Sequence, residues 1–172
     1  MTAADILELQ TIAEEFDLLV LSDEVYEHIV FDGGRHESVA RYPKLAKRSL
    51  VVYSFGKTFH NTGWKMGYVC APAELTTEVR KVHQYNVFSV NTPVQYAPAD
   101  YMSDATTYSG ISEMYEAKRD IFNHALQGSR FGLKPAAGTY FQLLDYSAIS
   151  NENDIDFAKR LTRDYKITGI PC

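Results

Sequence analysis

The chain has 172 residues, 45% of them apolar and 23% charged, which is the balance of a soluble globular protein with core enough for one domain, or for one domain and part of another. A formal net charge of -5 argues against a nucleic-acid-binding surface as its main business. Its two cysteines, Cys70 and Cys172, form no CxxC pair and have no histidine at ligand spacing, which argues against a disulfide scaffold or a metal site and for a reducing, cytoplasmic setting.

Met1 to Asp5 carry neither a basic nor an apolar leader segment, so no signal peptide is expected, and no apolar run approaches the ~20 residues a membrane helix needs. Ile6, Leu9, Ile12, Ala13 and Phe16 recur at helical spacing, with Glu8, Glu14 and Glu15 opposite; this predicts an amphipathic helix from Asp5 to Phe16, capped by Thr2 or Asp5. Leu18 to Leu21 is a short continuous apolar run, the pattern of a strand covered on both faces. Asp32-Gly33-Gly34 is a turn, and a basic, loop-like connection from Arg35 to Arg48 leads to a second buried strand, Ser49 to Tyr53. Gly67 to Ala71 is a third. The link from Lys57 to Gly67 is too short for a crossover helix, so this strand is expected to run antiparallel to its neighbour.

From Pro72 the character changes. Helices are expected over 74–88, 93–103 and about 106–127, with Pro93 suited to a first helical turn and Gly128 to a stop. Thr139 to Leu144 alternates like a strand, Asp154 to Tyr165 reads as a helix, and Lys166 to Ile170 as the start of another strand. The expected organisation is an α/β part (1–72), helical connectors, and a smaller α+β part from about 106.

The stretch Ser54 to Tyr68 has several readings. Gly56-Lys57-Thr58 ends like a phosphate-binding P-loop, but Val51 stands where that motif needs glycine. Ser54-x-x-Lys57 matches the serine–lysine signature of penicillin-binding proteins and class A β-lactamases, yet the companion motifs are missing. A plainer reading makes Lys57 and Lys65 solvated loop lysines. Against it stands Asp23-x-x-Tyr26 at the end of the other buried strand. Ligands of open α/β sheets sit outside the carboxyl ends of the strands. There, two successive strands present a carboxylate, a phenol, a hydroxyl and two amines.

Ser22-Asp23-Glu24-Val25-Tyr26-Glu27-His28 and Ser54-Phe55-Gly56-Lys57 with Gly63-Trp64-Lys65-Met66-Gly67-Tyr68 resemble the pyridoxal-phosphate-dependent aminotransferases of fold type I. The likeness is greatest to the subgroup with methionine, kynurenine and glutamine aminotransferases. Val87 to Gln95 and Gly138-Thr139-Tyr140-Phe141 resemble further segments of that subgroup, in the same order. The resemblance implies the large-domain fold, with its mostly parallel sheet, plus part of a small α+β domain. Residues 1–105 would be the C-terminal half of the cofactor-binding large domain with its connecting helices, and 106–172 a truncated small domain. Such a fragment would be inactive alone.

The resemblance also implies roles. Lys57 would bind the aldehyde of pyridoxal 5'-phosphate through its amine, Asp23 would pair with the pyridine nitrogen, and Tyr26 would bond the phenolic oxygen. Ser54 and Lys65 would hold the phosphate. Asn91 or Thr92 is placed to approach the phosphate of a neighbouring subunit in a homodimer, or to cap the helix that Pro93 opens. Tyr140 would line the substrate side or pack on the long helix. Many relatives have arginine at the position of Lys65, which loses the bidentate fork here, and Gly56 replaces a hydroxyl residue. The implied reaction moves an amino group between an amino acid and a 2-oxo acid, with a sulfur-containing, aromatic or glutamine-type substrate favoured. A carbon–sulfur lyase on the same scaffold, or the effector-sensing domain of a transcription regulator, are the alternatives.

Overall fold

A computed structural model describes residues 1–172. Thr2 opens α1 (Ala3–Glu15) with a reciprocal cap: its hydroxyl accepts the Asp5 amide at 3.3 Å and the Asp5 carboxylate accepts the Thr2 amide at 2.6 Å. Ile6 and Ala13 are buried with Leu9 beside them, whereas Ile12 and Phe16, expected on the same face, are exposed. At the far end the Arg48 guanidinium donates to the carbonyls of Ala13 and Leu18, both at 2.9 Å, fastening the end of α1 to the residue that precedes β2.

β1 (Val20–Asp23) follows. The stretch expected to be loop contains a 3-10 turn at Val39–Arg41 and a short α2 (Pro43–Ala46), with Pro43 in the first turn, where its missing amide costs nothing. β2 (Ser49–Ser54) runs parallel to β1, with Val20 opposite Ser49 and Asp23 opposite Val52. The chain then turns through α3 (Phe55–Thr58) and a 3-10 turn at Thr62–Trp64 into β3 (Gly67–Cys70), antiparallel to β2 with Ser54 opposite Gly67, as the short link requires. Strand order is β1-β2-β3, a mixed sheet.

One face of this sheet is packed. Val51 joins Ile6, Ala13, Val39 and Leu45 in a buried cluster, with Val20, Tyr42 and Tyr53 around it. The other face is bare: Leu19 and Leu21 are 64% and 73% exposed, so β1 is not covered on both faces within this chain, contrary to the expectation from its apolar run.

Beyond β3 lie α4 (Ala73–Asn86), α5 (Thr92–Tyr101), α6 (Thr106–Ser109) and α7 (Ile111–Ala125). The single helix expected from 106 to 127 is thus two, separated at Gly110. Ile111 packs with Ile29 and Phe31 in a second buried cluster, flanked by Tyr26, Tyr108 and Tyr115.

Two compact units divide the chain: Met1–Ala117 with Ala137–Tyr140, and Lys118–Ala136 with Phe141–Cys172. In the second, β4 (Gly132–Leu133) pairs antiparallel with β5 (Leu144–Asp145), and α8 (Asp154–Arg160), capped by Asn153, continues into a π turn at Leu161–Tyr165. Phe157, 4% exposed, stacks on Tyr146 at 4.1 Å between ring centres. Two strand expectations fail. Only Leu144 of Thr139–Leu144 enters a strand, because Thr139 takes a left-handed φ of 65° and the Gln142 side chain bonds the carbonyls of Lys134 and Leu143. Lys166–Ile170 also forms none: Lys166 has φ 62°, and no strand lies alongside. No helix is long and apolar enough to cross a membrane.

Candidate functional site

Parallel pairing sets the carboxyl ends of β1 and β2 side by side, so Asp23 and Ser54 leave the sheet at the same edge. Past β2 the chain makes a tight loop. The Ser54 hydroxyl accepts the Gly56 amide at 3.1 Å, the Thr62 hydroxyl donates to the Gly56 carbonyl at 2.8 Å, and the Phe55 amide donates to the Met66 carbonyl at 3.2 Å. Two glycines make this closure possible. A Cβ on Gly67 would lie 2.3 Å from the Tyr53 carbonyl oxygen, and one on Gly56 would lie 3.0 Å from the Thr62 Cα. Lys65 ends the loop in the left-handed region at φ 52° and ψ 47°, a conformation costing a side-chain-bearing residue roughly 1–2 kcal/mol.

The loop folds Ser54, Gly56, Lys57, Thr62, Lys65, Met66 and Gly67 around one cavity of about 330 Å³. The two lysines, eight residues apart, therefore face a common space. Lys57 sits in α3 and is half-buried, and Lys65 is exposed.

Asp23 and Tyr26 line a different cavity, about 490 Å³, together with Glu24, His36 and Gly138. Asp23 is exposed, and its carboxylate accepts the Val25 amide at 3.2 Å, which turns the chain after β1. Tyr26 meets the Tyr140 ring edge-on at 5.3 Å, and Tyr140 lies 5.6 Å from Tyr115 of α7. Tyr140 thus packs on the long helix. Burial, then a hydrogen bond and charge interaction with Tyr140, then the charges of Asp23 and Tyr115, push the Tyr26 phenol well above its ordinary value, so it stays protonated. Asn91 caps α5 through the Val94 amide at 3.3 Å.

Sequence reasoning passed over Glu24. It is 4% exposed, and its carboxylate accepts from the Ser22 hydroxyl, the Val39 amide, His36 Nε2 and the Tyr53 hydroxyl. Its position between Asp23 and Tyr26 was visible in the sequence; its burial was not.

The donor chemistry fits a phosphorylated aldehyde. Two amines and a hydroxyl, which accepts one bond and still carries a proton to donate, suit a phosphate and leave one amine for the aldehyde carbon. A carboxylate and a neutral phenol at the adjacent strand end suit a basic ring nitrogen and a ring oxygen.

The sequence model of the family described as Aminotransferase class I and II matches residues 1–172. The chain is 49% identical over 156 residues to the methionine aminotransferase of Escherichia coli K12, covering 90% of this chain and 40% of that one. It is 34% identical over 186 residues to human kynurenine–oxoglutarate transaminase 3, covering 95% and 40%. Among solved structures, Escherichia coli YbdL, described as having a methionine aminotransferase function, superposes with a TM-score of 0.93 at 46% identity, over 99% of this chain and 45% of that one. N-succinyldiaminopimelate aminotransferase of Mycobacterium tuberculosis gives 0.91 at 32% identity, over 99% and 44%. The chain spans less than half the length of these relatives.

Proposed function

The chain belongs to the class I and II aminotransferases, and on that premise we propose that the whole protein containing it transfers an amino group between an amino acid and a 2-oxo acid, using pyridoxal 5'-phosphate. The observation that carries this reading is the convergence of Ser54, Lys57 and Lys65 on one cavity at the carboxyl end of β2, beside the β1 end that presents Asp23 and Tyr26.

When bound, the cofactor supplies an electron sink for the negative charge that develops at the substrate α-carbon. Lys57 Nζ would hold the aldehyde carbon and, when released by the substrate amine, would be the base placed to carry the substrate α-proton. The Asp23 carboxylate would hold a proton on the ring nitrogen by favouring its charged form. Tyr26, kept neutral by burial and its neighbours, would donate to the ring oxygen in place of Tyr140. Ser54 and Lys65 orient the phosphate, Lys65 as a point charge rather than a fork.

A methionine-like or aromatic amino donor fits the identities to the methionine and kynurenine enzymes. A cytoplasmic homodimer is part of the same proposal, supported by two free cysteines and by the exposed apolar surface of α4 and the segment after it, Val82, Tyr85, Val87 and Phe88. So is a division into 1–105 and 106–172 as parts of the large and small domains. The 172 residues alone are expected not to turn over. The test is to supply methionine or kynurenine with a 2-oxo acid to the whole protein. Formation of the matching new amino acid, lost in Lys57→Ala, is expected. Release of ammonia with a 2-oxo acid and no new amino acid would replace transfer by lyase chemistry.

A further inference from the structure

Resting on the aminotransferase reading above, we propose that Glu24 is a positioning residue that fixes the Asp23–Tyr26 side of the site against the Ser54–Lys57 side. Glu24 is the one charged side chain among the buried residues. Oε1 accepts the Ser22 hydroxyl at 3.0 Å and the Val39 amide at 3.1 Å; Oε2 accepts His36 Nε2 at 2.9 Å and the Tyr53 hydroxyl at 3.3 Å. Two bonds at each oxygen use the acceptor capacity of a carboxylate in full.

Those four donors come from different parts of the chain. Ser22 lies in β1, His36 and Val39 in the connection between the strands, and Tyr53 in β2, directly before Ser54. The Glu24 amide also donates to the Val52 carbonyl at 2.9 Å, extending the parallel ladder one residue past β1. One carboxylate therefore ties the turn that carries Asp23 and Tyr26 to the strand end that carries Ser54 and leads to Lys57. Asp23 itself is exposed, and the bond it receives from the Val25 amide is local to its own turn.

A buried charge is a poor source of stability, since well-packed apolar residues of the same volume often serve as well or better. What four directed bonds supply and apolar packing does not is a fixed angle and spacing. Displacements of about 1 Å between reacting groups are enough to change rates a hundredfold. Glu24 touches none of the residues placed on the cofactor through its side chain, so it acts through Ser22 and Tyr53.

The experiment uses the whole protein and three forms: wild type, Glu24→Gln and Tyr53→Phe. Glutamine keeps the volume but offers one acceptor oxygen in place of two, so the four bonds cannot all keep their present directions. Pyridoxal 5'-phosphate binding, the pH midpoint of its absorption band, and hydrogen exchange in the cofactor-free protein are read for each. Glu24→Gln is expected to bind the cofactor about tenfold or more weakly, to shift the band midpoint, and to speed exchange at Val39 and across residues 22–27 while leaving α8 unchanged. Tyr53→Phe, which removes one donor, should shift the same readings less. Wild-type affinity and midpoint in Glu24→Gln, or in Tyr53→Phe should Glu24→Gln fail to fold, overturn the assignment while the aminotransferase reading stands. A wild-type protein that takes up no cofactor overturns both.

Discussion

Lys57 and Lys65 share a cavity, and their backbones differ. Lys57 sits in ordinary helical geometry in α3, while Lys65 is held left-handed at φ 52°. That conformation, which caps the 3-10 turn at Thr62–Trp64, is strained for a residue with a side chain. Lys65→Gly should relieve it, raising stability by up to about 1 kcal/mol in a urea titration while weakening pyridoxal 5'-phosphate binding. A variant less stable than wild type would contradict the strain, and unchanged binding would contradict the phosphate role. Gly67→Ala must push a methyl to 2.3 Å from the Tyr53 oxygen, and a loss of about 2 kcal/mol or more is expected from the same titration.

Glu24 carries the pH dependence at this scale. Burial alone raises its pKa, but hydrogen bonds from His36, Ser38, the Val39 amide and Ser22 outweigh that and hold it below the ordinary 4.5. A depressed carboxylate contributes stability that is fully present above the unfolded value and is lost as pH falls through the folded one. Stability measured from pH 6 down to 3 should therefore fall more steeply in wild type than in Glu24→Gln. Parallel acid limbs would contradict it.

At the scale of elements, the capping box of α1 offers a direct check. Thr2→Ala removes one side of the Thr2–Asp5 exchange and should cost about 1 kcal/mol, read as a lower urea midpoint with unchanged slope. The first half of the fold was legible in the sequence because its signals are local. The Ile6–Ala13 periodicity, the apolar runs of β1 and β2, and the link too short for a crossover each correspond to an observed element. The later strands were not, because alternation in Thr139–Leu144 is overridden by a left-handed Thr139 and by Tyr140 turning to the rings of Tyr26 and Tyr115. The apolar runs placed Asp23, Tyr26, Ser54, Lys57 and Lys65 at the strand ends, and the resemblance implied a role for each. That Ser54, Lys57 and Lys65 share one cavity while Asp23 and Tyr26 line another is a matter of loop closure that spacing does not express. Glu24 was invisible for the same reason: its four donors are spread from Ser22 to Tyr53.

For the molecule as a whole, the bare sheet face is the dominant feature. Leu19 and Leu21 of the β1 region and Val69 of β3 are exposed, and β1 ends the sheet with an unpaired edge. Such a surface drives association. The 172-residue chain produced by itself should sediment as oligomers or aggregates, and Leu19→Glu with Leu21→Lys should shift it toward monomer. A wild-type chain that sediments as a monomer and melts cooperatively would contradict this. The proposed attachment of pyridoxal 5'-phosphate to Lys57 is tested most directly by borohydride reduction of the whole protein loaded with the cofactor, followed by peptide mass spectrometry. The prediction is a pyridoxyl group on Lys57 that disappears in Lys57→Ala; a label on Lys65 instead, or on neither lysine, would contradict it.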